Sequence, residues 1–173
     1  MAFSLYDATV PQFRQTLGST LSLLDKAEEF IAQRGIAPEE LLGARLIEDM
    51  LPFPSQVRFV AMHSQGALEG VRTGRYSPDR SAPPMGFAAL RTCLGDALAA
   101  VGAVTPGEVN GFAGRDVRFE VADIRMDFTA EDFLLSFSLP NFFFHATTAY
   151  DLLRMKGLPI GKRDFLGALR IKG

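Results

Sequence analysis

Between Val10 and Ile31 the apolar residues Val10, Phe13, Leu17, Leu21, Leu24, Ala27 and Ile31 recur at spacings of three and four, and Gly35 closes the run. A stripe of that length predicts a helix of about six turns, and its apolar side has to be covered by other elements of the chain. Thr9, followed by Pro11 and Gln12, reads as a capped start with proline in the first turn, and Ser4 offers an earlier one.

Three further segments can supply the cover. Val57, Val60, Ala61, Ser64, Ala67, Leu68 and Val71 place an apolar face on a second helix from about Pro54 to Thr73, stopped by Gly74. Phe87, Leu90, Leu94, Leu98 and Val101 do the same for a third, with Cys93 beside the stripe as a buried, inert thiol. Thr129 caps a fourth, with Glu131 and Asp132 in its first turn, and it runs to Lys156 before Gly157-Leu158-Pro159. Pro140 lies inside this last helix and withholds an N–H from the Ser136 carbonyl, which predicts a kink. Ahead of it the period changes to two. Val117, Phe119 and Val121, then Ile124, Met126 and Phe128, flank Ala122-Asp123 as a small β-hairpin.

The segments between are connections. Ala37 to Glu40 starts a short helical turn, and Leu41 to Phe53 is an irregular crossing closed by Pro52 and Pro54. Gly74–Gly86, with three prolines, and Pro106–Gly114 read as loops, and Ile160–Gly173 receives no element. The expected architecture is mainly α: one domain over 1–173, a four-helix bundle with a small β-hairpin before the last long helix. At 173 residues it can bury a core without disulfides or a structural metal.

Charge and composition narrow the partners. A net charge of −2 gives no basic footprint for nucleic acid. With Cys93 as the one cysteine no internal disulfide can form, and the first residues lack the basic start and apolar run of a signal peptide, so the expected compartment is the cytoplasm. The 18 uncharged residues between Asp132 and Asp151 approach the length of a membrane span. They include Ser136, Ser138, Pro140, Asn141, His145, Thr147 and Thr148, which hydrocarbon would leave unsatisfied, so the segment reads as a core helix and no membrane is expected.

Candidate chemistry gathers around the two histidines. Asn141 and His145 are four apart on one helical face. Gln56 and His63, seven apart, share an edge of the second helix that can face them. Gln56, Asn141 and His145 are therefore candidate ligand-binding residues, and His145 with His63 candidate metal ligands. Two histidines supply half of a tetrahedral site, which Glu48, Asp49 or Gln56 would have to complete. Arg45 and Asp49, four apart, are an expected ion pair. Tyr150, five residues past His145, is turned away from it and reads as a core tyrosine. No Ser-His-Asp order, glycine-rich phosphate loop or paired-cysteine motif is present.

Four stretches carry a resemblance: Ser4-Leu-Tyr-Asp7-Ala-Thr-Val-Pro11; Ala44-Arg45-Leu46 through Asp49-Met50; Asn141-Phe-Phe-Phe-His145-Ala-Thr-Thr-Ala-Tyr150; and Gly157-Leu-Pro-Ile-Gly-Lys-Arg-Asp-Phe-Leu-Gly167. Over nearly its whole length the chain resembles an uncharacterised bacterial family of unknown function that looks like a branch of the DinB/YfiT-like superfamily of four-helix bundles. The superfamily implies three metal-binding histidines, one on the second helix and two spaced four apart on the last, and in several members thiol-dependent transfer or isomerisation. His145 stands where the second of the paired histidines is expected and Asn141 where the first is. Gln56 stands near the second-helix position, with His63 two turns away as a displaced substitute. Amides are poor ligands for zinc. The resemblance thus implies a bundle with a small-ligand pocket and a degenerate metal site. The alternative is a transferase or isomerase using His145 and a divalent ion such as zinc or nickel. A small-molecule ligand and a second copy of the chain, as a homodimer, are the expected partners.

Overall fold

The computed structural model describes residues 3–172. Helix α1 (Leu5–Arg34) carries the long stripe and starts at the earlier of the two predicted caps. Ser4 Oγ accepts from the Asp7 N–H at 3.2 Å while the Asp7 carboxylate accepts from the Ser4 N–H at 3.1 Å, so two of the orphan donors at the helix start are satisfied reciprocally. Thr9, the other predicted cap, lies inside the helix and its hydroxyl donates to the Leu5 carbonyl at 2.7 Å. Gly35, at φ 63°, closes α1 in the left-handed conformation that glycine enters without a Cβ penalty.

A short α2 (Pro38–Leu42) leads to the crossing, where the Arg45 guanidinium donates to the Glu48 carbonyl at 3.1 Å rather than pairing with Asp49. The second helix differs from the regular element expected. It consists of α3 (Phe53–Ala61), a π turn (Met62–Gly66) and α4 (Ala67–Thr73) on one continuous path. A π turn closes its hydrogen bonds over five residues and so accommodates one extra residue.

Helix α5 (Phe87–Ala103) follows the proline-rich loop, with Cys93 half-buried at its edge. The predicted loop after it contains α6 (Pro106–Asn110), started by Thr105 Oγ accepting from the Glu108 N–H at 3.2 Å. The fourth helix begins at Thr129 as expected and is again divided: α7 (Ala130–Asp132), a π turn (Phe133–Ser138) and α8 (Leu139–Met155). At the predicted kink site the π turn lies just before Pro140, and in it the Leu139 N–H bonds the Leu134 carbonyl five residues back. Residues 162–166 of the tail form α9 (Lys162–Leu166), which lies on α1.

The hairpin becomes a sheet. Strands β2 (Asp116–Val121) and β3 (Ile124–Thr129) pair antiparallel across Ala122-Asp123, and β1 (Arg75–Tyr76) adds to β2 in parallel. The sheet buries Val117 and Phe119, and Phe119 packs on the fourth helix, its ring centre 5.0 Å from that of Phe137. In the bundle α1 packs on α5, and α3 packs on α8 and α5. Phe13 and Phe142, fully buried, meet edge to face with ring centres 5.0 Å apart. The uncharged stretch supplies Phe133, Leu134, Phe142, Ala146 and Ala149 to this core, and among the described residues no helix is long and apolar enough to cross a membrane.

One buried charge ties a loop to the bundle. The Arg58 guanidinium on α3 donates to the carbonyls of Ser81 and Asp79 and to Ser81 Oγ, and pairs with the Asp79 carboxylate at 2.7 Å. Two carbonyls that the loop cannot pair internally find their donor here. Arg58→Ala is expected to free residues 77–86, raising the rate of trypsin cleavage at Arg80 several-fold while the helical circular dichroism stays unchanged. An unaltered cleavage rate would show the loop to be held by other contacts.

Candidate functional site

Gln56 on α3 and His145 on α8 lie 89 residues apart in sequence and meet in the seam between the two helices, Gln56 Oε1 at 2.7 Å from His145 Nδ1. Gln56 Nε2 donates to the Leu51 carbonyl at 2.9 Å, and that bond sets which end of the amide faces the ring. A carbonyl oxygen can only accept, so Nδ1 carries the imidazole proton and Nε2 the lone pair. The tautomer of His145 is thereby fixed by the crossing segment that ends at Leu51.

His63 stands next to this pair. Its ring centre is 5.7 Å from that of His145 with the planes 14° apart, and Phe59 stacks on His145 at 4.7 Å. Tyr76 and Phe137 close the far side of His63 at 5.9 and 5.7 Å. Gln56, His63 and His145 are 1, 5 and 9% exposed. Burial makes a positive charge costly, so the pKa of His145 falls to about 4 and that of His63 to about 3, the latter helped by repulsion from a charged His145. Both rings are neutral at pH 7.

His63 Nδ1 and Ser138 Oγ are buried without a hydrogen-bond partner among the described residues. His63 sits within the first π turn and Ser138 ends the second. Such turns are frequent at functional sites.

The structure thus brings together three of the four predicted site residues. Asn141 is half-buried and spends its amide on its own helix, Nδ2 donating to the Phe137 carbonyl at 2.7 Å. Phe59, Tyr76 and Phe137 complete the group without having been singled out in the sequence. Phe59 had a readable signal, since Gln56, Phe59 and His63 fall on one face at spacings of three and four. Surface hollows of 200–550 Å3 are lined by other residues, one of them by Arg14, Gln15 and the start of α9.

The donor set can be compared with what a metal requires. Among the described residues no group of three or more His, Cys, Asp and Glu is placed to hold a metal ion. Catalytic zinc sites use three such ligands plus an open position. Here two imidazoles are accompanied by one amide already bonded to an imidazole and one bonded to a backbone carbonyl. The residues present do not fit the three-histidine centre that the resemblance implies.

Comparison with solved structures gives a DinB family member protein from Shewanella denitrificans, 26% identical, with a TM-score of 0.81 over 98% of this chain and 95% of that one. The fold of this chain, mainly helical with a small three-stranded sheet, is therefore DinB-like along almost its full length. No curated protein matches the chain. Residues 5–166 match the family described as a domain of unknown function, DUF1993, and the chain belongs to that family.

Proposed function

We propose that the seam around His145 recognises a small, uncharged molecule that donates hydrogen bonds, and that it does so without a metal. The observation that carries this reading is the Gln56–His145 bond, in which Nδ1–H donates to the Gln56 oxygen and the lone pair is left on Nε2, on the other side of the ring. An imidazole with a pKa near 4 is a weak base at neutral pH but a competent acceptor. His63 Nδ1 adds a second unsatisfied position, and among the described residues no carboxylate, lysine or arginine perturbs either ring in a way that would favour a charged ligand. Phe59 and Phe137 supply apolar walls on either side of the two rings. Bundle proteins commonly build their sites in this way, from side chains on facing helices. A divalent-metal transferase or isomerase using His145 is the alternative, and the lack of a third His, Cys or carboxylate donor argues against it.

The test is a nuclear magnetic resonance titration with a panel of small phenols and primary amides, following the ring resonances of both histidines. Binding members should shift His63 and His145 together, and His145→Ala should abolish the response. Nitrogen shifts of the unliganded protein should report the Nδ1–H tautomer for His145, and Gln56→Leu should convert it to a mixture. A panel without effect on either ring would sink the reading. So would one equivalent of zinc or nickel retained by the wild type and lost in His145→Ala, which would favour the enzyme instead.

A further inference from the structure

Strand β3 is the free edge of the sheet, and its order of residues makes it complementary to itself. The sheet runs β1-β2-β3, so among the described residues one side of β3 has no partner strand. Five of its six residues are exposed, Ile124 at 56% and Met126 at 37% among them, and Phe128 is half-buried.

Which backbone groups face outward follows from the hydrogen bonding of β2. The Ala130 N–H bonds the Arg115 carbonyl, so the odd-numbered residues of β2 exchange bonds with β3. The Arg118 N–H points the other way, to the Gly74 carbonyl, so the even-numbered residues do not. Arg118 pairs with Asp127 and Glu120 with Arg125. It is therefore Arg125 and Asp127 whose N–H and C=O groups project from the free edge. An antiparallel second copy centred on Met126 would place Arg125 of each chain opposite Asp127 of the other, two residues meeting two residues in the hydrogen-bonded positions of a new ladder.

The side chains agree with this register and with no neighbouring one. Arg125 and Asp127 share the face on which Arg118 already binds Asp127 at 2.6 Å and Arg75 binds Glu120 at 2.6 Å. Crossing the two-fold axis, the rows would read Arg118, Asp127, Arg125, Glu120 and the reverse, alternating in sign through four strands. On the other face Met126 would meet its own copy and Ile124 would meet Phe128. A slip of two residues sets Arg125 against Arg125 or Asp127 against Asp127, and parallel pairing in register does both, which cross-strand repulsion disfavours. Charges on an edge usually guard it against association. Here their sequence, plus then minus about a central Met126, selects one partner in one register.

We infer that β3 pairs antiparallel with β3 of a second copy about a two-fold axis at Met126, giving a dimer with a continuous six-stranded sheet. This holds whether or not the His145 seam binds a ligand.

The full chain would be examined by sedimentation at a series of concentrations, together with Arg125→Pro. Residue 125 donates nothing to β2, so proline there leaves the hairpin ladder intact while removing two outward N–H groups per dimer. Dimerisation of the wild type and a dissociation constant raised about tenfold or more in Arg125→Pro are the expected results. Met126→Cys in a Cys93→Ala background gives a second readout that needs no proline. Two cysteines facing each other across a non-hydrogen-bonded pair, with Cα atoms about 4.5 Å apart, are within disulfide reach. Mild oxidation should yield a covalent dimer from that variant and much less from Ile124→Cys in the same background. A wild type that stays monomeric, or a dimer that survives Arg125→Pro and does not crosslink through residue 126, overturns the inference.

Discussion

Acidification from pH 6.5 to pH 4 is expected to lower the unfolding free energy by roughly 2.7 kcal/mol per pH unit once both buried histidines are protonated only in the unfolded chain. The sign follows from the direction of the shifts. His63 and His145 are held at about 3 and about 4 in the folded protein, against the ordinary 6.5. Between those values and 6.5 the unfolded state binds the extra protons, so stability is fully present above pH 6.5 and declines as pH falls toward 4. The surface carboxylates that the fold shifts downward, Asp7, Asp79, Asp127, Glu131 and Asp164, add to the loss below about pH 5, so the histidine slope is read above that pH. Denaturant titrations at half-unit intervals would give the slope, and His63→Asn should halve it. A flat profile from pH 7 to 4.5 would mean that the seam admits water and charges freely.

Phe142→Ala is expected to cost about 3–5 kcal/mol, a large share of the stability of a domain this size. Phe142 is fully buried on α8 and meets Phe13 of α1 edge to face, so truncation removes apolar burial and an aromatic pair at one stroke. The cavity would open where α1 and α8 touch, between helices already committed to α5 and α3, and neither can close in without loosening another contact. Urea unfolding would show the midpoint moving down at constant slope. A loss below 1 kcal/mol would indicate that Phe13 or Phe143 swings in to refill the space.

These two experiments probe parts of the molecule that differed in how readily the sequence disclosed them. Periodicity alone placed the stripe of α1, the inward face of α5, the β2–β3 pair and the Thr129 cap, because each depends on residues near one another in the chain. Strand β1 was hidden for a physical reason. Two residues are too few to show alternation, and Arg75-Tyr76 becomes a strand only because the Gly74 carbonyl meets the Arg118 N–H. The π turn at Met62–Gly66 was equally silent, since a change from four-residue to five-residue hydrogen bonds needs no particular composition. Pro140 betrayed its counterpart on the last helix, although the adjustment lies in the turn before it.

The candidate site was legible as a set of residues and not as an arrangement. Spacing put Asn141 and His145 on one face, and that is where they are. It could not show that Asn141 would turn to the Phe137 carbonyl while Gln56, on another helix, would take His145. That choice depends on a seam assembled from segments about ninety positions apart.

The π turn at residues 62–66 has a bearing on how this chain tolerates change in length. Val57, Val60 and Ala61 before the turn and Ala67, Leu68 and Val71 after it are all buried, so the burial of the downstream residues depends on how many residues separate the two segments. Removing one residue, Gln65 for instance, would restore an uninterrupted α-helix with better local bonding and every apolar side chain retained. It would also swing half of them through about 100° relative to the other half, pointing Leu68 and Val71 away from the walls they now fill. For this helix, the number of residues is as much a part of the fold's specification as their identity.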